Sequence, residues 1–163
     1  TLIDSLRQGT AFFASACMIA IGGGVALIGN SERVAGLAAE LTLDAPGVLI
    51  EVKIILVIAF MANALLKFIW AHRLFGYCSI LMAAVPNDPS HPEAAHRATQ
   101  AADINITGAK SFNRGLRSIY FALGSLGWLL GPWGLVAGAM VISGILVRRD
   151  FGSTSREVML RRM

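Results

Sequence analysis

Three polar residues share one face of an otherwise apolar stretch of this sequence. Lys53 and Asn63 each fall within roughly 40° of Lys67 on a helical wheel, on either side of it. Ionisable residues inside an apolar helix are costly, so they mark either a functional path or the edges of a membrane. One interpretation is a polar stripe that faces a partner or lines an anion path. The other is two interfacial lysine anchors and an asparagine bonded to a neighbouring helix. Glu51 is a possible counter-ion for Lys53 on a neighbouring helix or chain.

A second polar group comprises Asn113, Arg114 and Arg117. The two arginines are three residues apart and therefore lie on the same side of a helix. Their guanidinium groups suit a lipid phosphate or a carboxylate. We expect an interfacial site that either binds lipid or pairs structurally, with a substrate anion as the alternative ligand.

The histidines and cysteines do not form a recognisable catalytic or metal-binding pattern. His72, His91 and His96 lack the close spacing of metal ligands, so no metal site is predicted. His72 alone could ligate a haem or pigment, since one imidazole can suffice, but a structural histidine is the favoured interpretation. Cys17 and Cys78 are expected to be small core residues. With no nucleophile elbow, phosphate loop or carboxylate pair, no catalytic residue is predicted, and bound lipid is the one expected ligand.

The composition indicates a membrane protein. Hydrophobic residues make up 55% of the 163 residues and charged residues 15%, and the mean hydropathy is +0.64. Soluble domains are typically about 45–50% apolar and about 25% charged. The net charge of +4 comes from 14 basic and 10 acidic residues. Five basic residues lie in 73–117 and five in 148–163, so we interpret them as topology signals and predict no binding of nucleic acid.

The pattern of uncharged runs predicts an all-α polytopic membrane protein with four transmembrane helices. The spans are placed at about 11–29, 48–70, 114–131 and 133–149. Residues 118–147 are uncharged and too long for one ordinary span, and Gly131-Pro132-Trp133-Gly134 interrupts them. Two spans joined by a tight turn are therefore predicted. A single span with a re-entrant loop is the alternative.

Between the second and third spans, the sequence predicts an antiparallel helical hairpin over 71–113. Residues 48–85 contain no proline and a single glycine, Gly76, which favours one long helix. Pro86 and Pro89 then end that helix. Ser90 to Glu93 resembles a capping box for the next helix. Small residues of this second helix should pack against large residues of the first.

Small residues spaced four apart predict close helix packing, because they allow backbones to approach. The predicted packing positions are Ala16, Ala20, Gly24, Gly127, Gly131, Gly134 and Gly138.

The loop charges predict the orientation. The connector 31–47 carries one arginine and a helical apolar pattern, which predicts an amphipathic periplasmic segment. The hairpin 71–113 and the basic tail 150–163 are predicted to be cytoplasmic by the positive-inside rule. The expected location is thus an inner (cytoplasmic) membrane.

Three blocks of this sequence resemble a known family. They run from Gly9 to Gly23, from Phe68 to Pro86, and from Ser111 to Trp133, the last containing Phe-Asn-Arg-Gly-Leu-Arg. Together they resemble the bacterial integral membrane family designated domain-of-unknown-function family 599. The resemblance covers nearly the whole chain and implies a membrane topology. It also implies a further amino-terminal segment with another membrane helix. That family has no established activity, so the resemblance implies no chemistry.

These features favour a non-enzymatic membrane subunit that packs against other helices. It would self-associate or serve as an accessory to a larger membrane assembly, such as a bioenergetic one. The alternative is a small oligomeric channel or transporter for an anion or small polar solute.

Overall fold

The computed structural model describes residues 2–30, 32, 36, 50–88 and 90–151, and this part of the chain is all α-helical, as predicted. Four α-helices and one 3₁₀ helix follow in order: α1 (Leu2–Ile28), α2 (Ile50–Ala83), α3 (Ala94–Leu126), the 3₁₀ helix Gly127–Leu130, and α4 (Pro132–Phe151). The predicted connector 31–47 and the basic tail 150–163 lie outside the described residues, apart from positions 32, 36, 150 and 151.

Two of the described helices, α1 and α2, are long and apolar enough to cross a membrane. α1 contains the uncharged run that begins at Ala11, and α2 is the uninterrupted helix that the absence of proline predicts. Both extend beyond the predicted spans, since α1 begins at Leu2 and α2 continues to Ala83.

The long uncharged run 118–147 is broken a few residues earlier than the sequence predicts. α3 ends at Leu126, and the 3₁₀ helix continues to Leu130. Gly131 then has a φ of 104°, a conformation that only glycine adopts readily. Pro132 is the first residue of α4, where its fixed φ suits a helix start and its missing N–H costs nothing. The turn therefore ends at Gly131, and Trp133 and Gly134 are already helical.

The connection between α2 and α3 uses a different cap from the predicted one. The prediction of a capping box between Ser90 and Glu93 is wrong. The Ser90 backbone N–H and hydroxyl both donate to Asp88 Oδ1, at 2.9 and 2.7 Å. The Glu93 N–H donates instead to His91 Nδ1, at 3.2 Å. Asp88 is the better acceptor because a carboxylate offers several lone pairs to two nearby donors.

Arg97 closes the same connection. Its guanidinium donates to the Ala84 carbonyl oxygen at 3.1 Å, just beyond the end of α2, and to Glu93 Oε2 at 2.6 Å. Satisfying a carbonyl left free at a helix end is a recognised role of basic side chains. One side chain thus joins the end of α2 to the beginning of α3.

The chain divides into two compact units. The first groups Thr1–Gly23 with Met61–Ser118, and the second groups Gly24–Phe60 with Ile119–Met163. In the first unit, the rings of Phe13, Phe68 and Phe112 meet in a cluster with centroids 5.3 to 5.6 Å apart. Cys17 and Cys78 are both buried and free, which confirms that they are core residues.

Large residues of α2 pack over small residues of α3 in this first unit. A Cβ added at Gly108 would lie 2.9 Å from Phe75 Cε1, and one at Gly115 would lie 2.8 Å from Phe68 Cε1. The Cys78 thiol also donates to the Ala101 carbonyl oxygen at 3.4 Å. These pairs show that α2 and α3 run antiparallel.

In the second unit, backbones approach each other without an intervening side chain. A Cβ at Gly138 would lie 2.5 Å from the Gly124 carbonyl oxygen. Gly127 and Gly134 are still closer, since a Cβ on either residue would overlap the other's carbonyl oxygen. The ring of Phe60 stacks on that of Phe121, with centroids 6.0 Å apart.

Candidate functional site

Two members of the predicted polar stripe, Asn63 and Lys67, lie where α2 packs against α3 in the first unit. Asn63 Nδ2 donates to Ser118 Oγ at 3.0 Å. The Ser111 hydroxyl donates to the backbone carbonyl of Lys67, also at 3.0 Å. The Asn63 bond is the interhelical asparagine contact that one of the two interpretations requires. Such bonds hold helices together where few other polar partners exist.

The other two residues of that prediction lie in the second unit. Glu51 and Lys53 belong to the first turn of α2, and both are half-buried. A carboxylate in the first turn is favourably placed, because the amino end of a helix carries a partial positive charge.

The predicted interfacial group lies on the surface of α3. Asn113, Arg114 and Arg117 are all exposed, and the helix presents the two arginines on one side. The group is therefore accessible from outside the chain.

A second surface group on α2 combines a cation with aromatic rings. Arg73 donates to the Tyr77 hydroxyl at 3.0 Å. Its guanidinium carbon also lies 5.9 Å from the centroid of Trp70 and 6.0 Å from that of Tyr77. Rings with a polar tip beside a basic residue are typical of the boundary between lipid and water. Sequence reasoning ended the second span at about residue 70 but did not identify this cluster.

A half-buried polar cluster of Arg7, Thr10 and His72 is the main feature that sequence reasoning missed. The Thr10 hydroxyl donates to the Arg7 carbonyl oxygen at 2.7 Å. His72 Nδ1 lies 3.1 Å from Thr10 Oγ1 and 3.3 Å from the Arg7 carbonyl oxygen. Because a carbonyl oxygen can only accept, Nδ1 of His72 is the donor in its contact with Arg7.

This hydrogen-bond pattern fixes the chemistry that His72 can perform. With the proton on Nδ1, the lone pair of the neutral ring is on Nε2, which is the atom a metal or pigment would bind. Arg7 Nε is buried without a hydrogen-bond partner among the described residues. Within the described part of the chain, no group of three or more His, Cys, Asp or Glu residues could hold a metal ion. The one sequence signal for this cluster is Thr10, a polar residue just before an apolar run.

The predicted packing glycines have three different environments. Gly127, Gly134 and Gly138 meet facing backbone, and a Cβ at Gly24 would lie 2.7 Å from the Ile58 side chain. Gly131 has no atom within 4 Å of such a Cβ, and it is needed for its positive φ. Ala16 is half-buried and Ala20 is exposed. Gly115 and Gly124, which were not predicted as packing sites, also make close contacts, as does Gly108 on the face of α3 that was predicted to carry small residues.

The comparison with protein families identifies this chain. The profile of the family described as "Protein of unknown function, DUF599" matches residues 1–155, and the chain belongs to that family. No curated protein and no solved structure was found to match it.

Proposed function

We propose that this protein is an integral protein of a bacterial inner membrane and acts as a non-enzymatic helix-packing subunit. It associates with copies of itself or with a larger membrane assembly. Four helices cross the membrane, at about 11–29, 48–70, 114–131 and 133–149. The hairpin over 71–113, which comprises the end of α2 and the beginning of α3, lies in the cytoplasm with the basic tail.

The exposure of the apolar helices supports the membrane location. Only 6% of the most apolar window of α1 is buried, and 22% of that of α2. A core helix of a soluble protein would be mostly buried. Exposed apolar surface of this extent requires lipid or protein around it.

The charge distribution supports the orientation. Arg73, Arg97, Lys110, Arg114 and Arg117 all precede or flank the beginning of the proposed third span. Positive charge concentrates on the cytoplasmic side of membrane proteins. The exposed Asn113, Arg114 and Arg117 are placed there to bind the phosphate of a lipid headgroup.

The observation that carries the proposed association is a second small-residue face on α1. Ala11, Ser15 and Gly22 are all exposed and share one side of the helix. This side is roughly 140° around the helix from the stripe of Ala16 and Ala20. A Cβ at Gly22 would meet nothing within 4 Å. Small residues exposed on an apolar helix allow a helix of another chain to approach closely.

The test is a leucine substitution on this face. We expect Gly22→Leu to weaken self-association or partner co-purification at least tenfold, because the new side chain separates the two helices. Association is measured by fluorescence energy transfer in lipid vesicles and by native gel of protein extracted in mild detergent.

Gly23→Leu is the matched control. It makes the same chemical change one residue away, where a Cβ also meets nothing within 4 Å but on a different side of the helix. Equal effects of the two variants would contradict the proposed face. A wild-type protein that leaves native membranes as a lone monomer would contradict the subunit function itself.

The alternative function is an oligomeric channel or transporter for an anion or small polar solute. It is favoured by Lys53 and Lys67, which are charged yet only half exposed. If they line a path, Lys53→Met and Lys67→Met should each lower anion flux in reconstituted vesicles at least tenfold. Flux that is absent, or unchanged in both variants, removes this alternative.

A further inference from the structure

A large cavity lies in the first unit, away from the polar residues described above. Its volume is about 870 Å³, and its wall is formed by the first turns of α1, the end of α2 and the first half of α3. Small-molecule sites in proteins typically enclose about 300–1,000 Å³. The cavity is therefore large enough for a small organic ligand.

In the described part of the chain, the wall of the cavity is mostly apolar and carries no charged side chain, and its polar side chains are Ser5, Asn87 and Asn105. Leu2, Leu6, Met82 and Val85 supply most of the bulky apolar surface, and Ala98 on α3 leaves the space open. A charged ligand group would lose its hydration here without gaining a counter-ion, which is strongly unfavourable. The chemistry of the wall therefore selects a neutral ligand with a substantial apolar part.

One side chain in the wall has an unused hydrogen-bonding group. Asn105 lines the cavity, and its Oδ1 is buried without a partner among the described residues. Leaving a buried acceptor unpaired is costly. Oδ1 makes no hydrogen bond to a described residue. Rotation about χ2 therefore turns this oxygen towards the cavity without breaking one. A ligand hydroxyl in the cavity could then donate to it.

We propose that this cavity binds a neutral lipid with a free hydroxyl group, drawn from the adjacent membrane. The hydroxyl donates to Asn105 Oδ1, and the hydrocarbon chain lies against Leu6, Met82 and Val85. The membrane as the source of the ligand rests on the proposed function. The cavity and its polar contact do not.

The experiment compares two ligands that differ by one hydrogen-bond donor. Purified protein in detergent micelles is titrated with 1-dodecanol and with its methyl ether, and bound ligand is counted by native mass spectrometry. We expect the alcohol to bind roughly three- to tenfold more tightly than the ether, the factor for one neutral hydrogen bond. Asn105→Leu should reduce this ratio to about one. Wild type and Asn105→Leu are measured in the same micelles. Differences in how the two ligands partition into the detergent therefore cancel when the ratios are compared.

A second pair of variants tests the cavity itself. Ala98→Phe places a ring in the space and should weaken binding of both ligands at least tenfold. Ala95→Phe makes the same change at an exposed position of α3 that is not part of the wall and should leave binding unchanged. Equal binding of alcohol and ether to wild type, or an Asn105→Leu ratio equal to that of wild type, overturns the proposal, even if Ala98→Phe does not fold.

The source of the ligand is tested separately. Protein purified from native membranes should carry a neutral hydroxylated lipid, and Asn105→Leu should carry several-fold less of it. If the protein fractionates as soluble yet keeps the alcohol preference, the proposed function fails while the polar site stands. If it is membrane-bound but shows no alcohol preference, the site fails while the proposed function stands.

Discussion

The two units of this molecule use glycine in different ways to pack helices. In the first, Gly108 and Gly115 make room for the rings of Phe75 and Phe68. In the second, the pairs Gly124 with Gly138 and Gly127 with Gly134 bring two backbones into contact.

The difference lies in what can move when a glycine is replaced. A phenylalanine ring that meets a new methyl group can turn or be replaced by a smaller side chain. A carbonyl oxygen of the facing backbone cannot move unless the helices separate. We therefore expect packing in the first unit to be open to compensation by a second substitution, and packing in the second unit not to be.

The largest effect is expected in the first unit, on removing a ring. Phe75 is almost fully buried, so Phe75→Ala leaves a cavity above Gly108 and should lower the free energy of unfolding by about 3–5 kcal/mol. Unfolding is measured by denaturant titration in detergent. The exposed Ile80 on the same helix is the control, since Ile80→Ala should change stability by no more than about 0.5 kcal/mol.

A double variant then tests whether the first unit can compensate. Phe75→Leu shortens the side chain, and Gly108→Ala places a methyl group in the space that is vacated. The destabilisation of the double variant should be smaller than the sum of the two single effects by at least about 0.5 kcal/mol. Strict additivity would show that the ring and the glycine are not coupled, and the proposed contrast between the units would be lost.

A smaller but uncompensated effect is expected in the second unit. Gly127→Ala should destabilise by about 1–3 kcal/mol, because the methyl group overlaps the backbone of Gly134. Gly144 has open space around it. Gly144→Ala should therefore be neutral or stabilise by up to about 1 kcal/mol through helix propensity. If Gly144→Ala lost as much stability as Gly127→Ala, contact with the facing backbone would not be the cause of the Gly127 effect.

The smallest effect belongs to the connection before α3, which uses neither kind of packing. Hydrogen bonds from the Ser90 hydroxyl and N–H lower the pKa of Asp88. A carboxyl group whose pKa is lowered by folding stabilises the protein at pH values above the ordinary carboxyl pKa. This stabilisation is lost as the pH falls through the pKa of the folded protein. The Ser90 amide resonance should therefore shift below about pH 4. In Asp88→Asn this shift should vanish, because the carboxamide does not titrate, while the glycine contacts of both units remain intact.

Much of the fold could be predicted from local patterns. The absence of proline predicted α2, and the interruption at Gly131-Pro132 predicted the start of α4 to within a residue or two. The α-helix before the turn ends earlier than predicted, since residues 127–130 adopt 3₁₀ geometry where Gly127 lies against the Gly134 backbone. The Ser90 capping box failed for a similar reason, since Asp88 competes successfully for the same donor groups.

Less of the candidate site could be predicted. The helical wheel grouped Asn63 with Lys67, but it did not show that Ser118 is the partner of Asn63. Arg7, Thr10 and His72 could not be connected, because the last is more than sixty residues from the others. Nothing about Asn105 in the sequence pointed to a ligand, since an asparagine on a helix is ordinary until its carboxamide is seen in the wall of a cavity.

The sequence by itself determined the all-α class, the apolar helices α1 and α2, and the family to which the chain belongs. These properties depend on composition and on spacings of a few residues, which a linear chain displays directly. The tertiary structure decided which glycine faces a ring and which faces a backbone, which proton His72 carries, and where a cavity remains. Each of these depends on atoms brought together from distant parts of the chain, and their distances are set only when the helices pack.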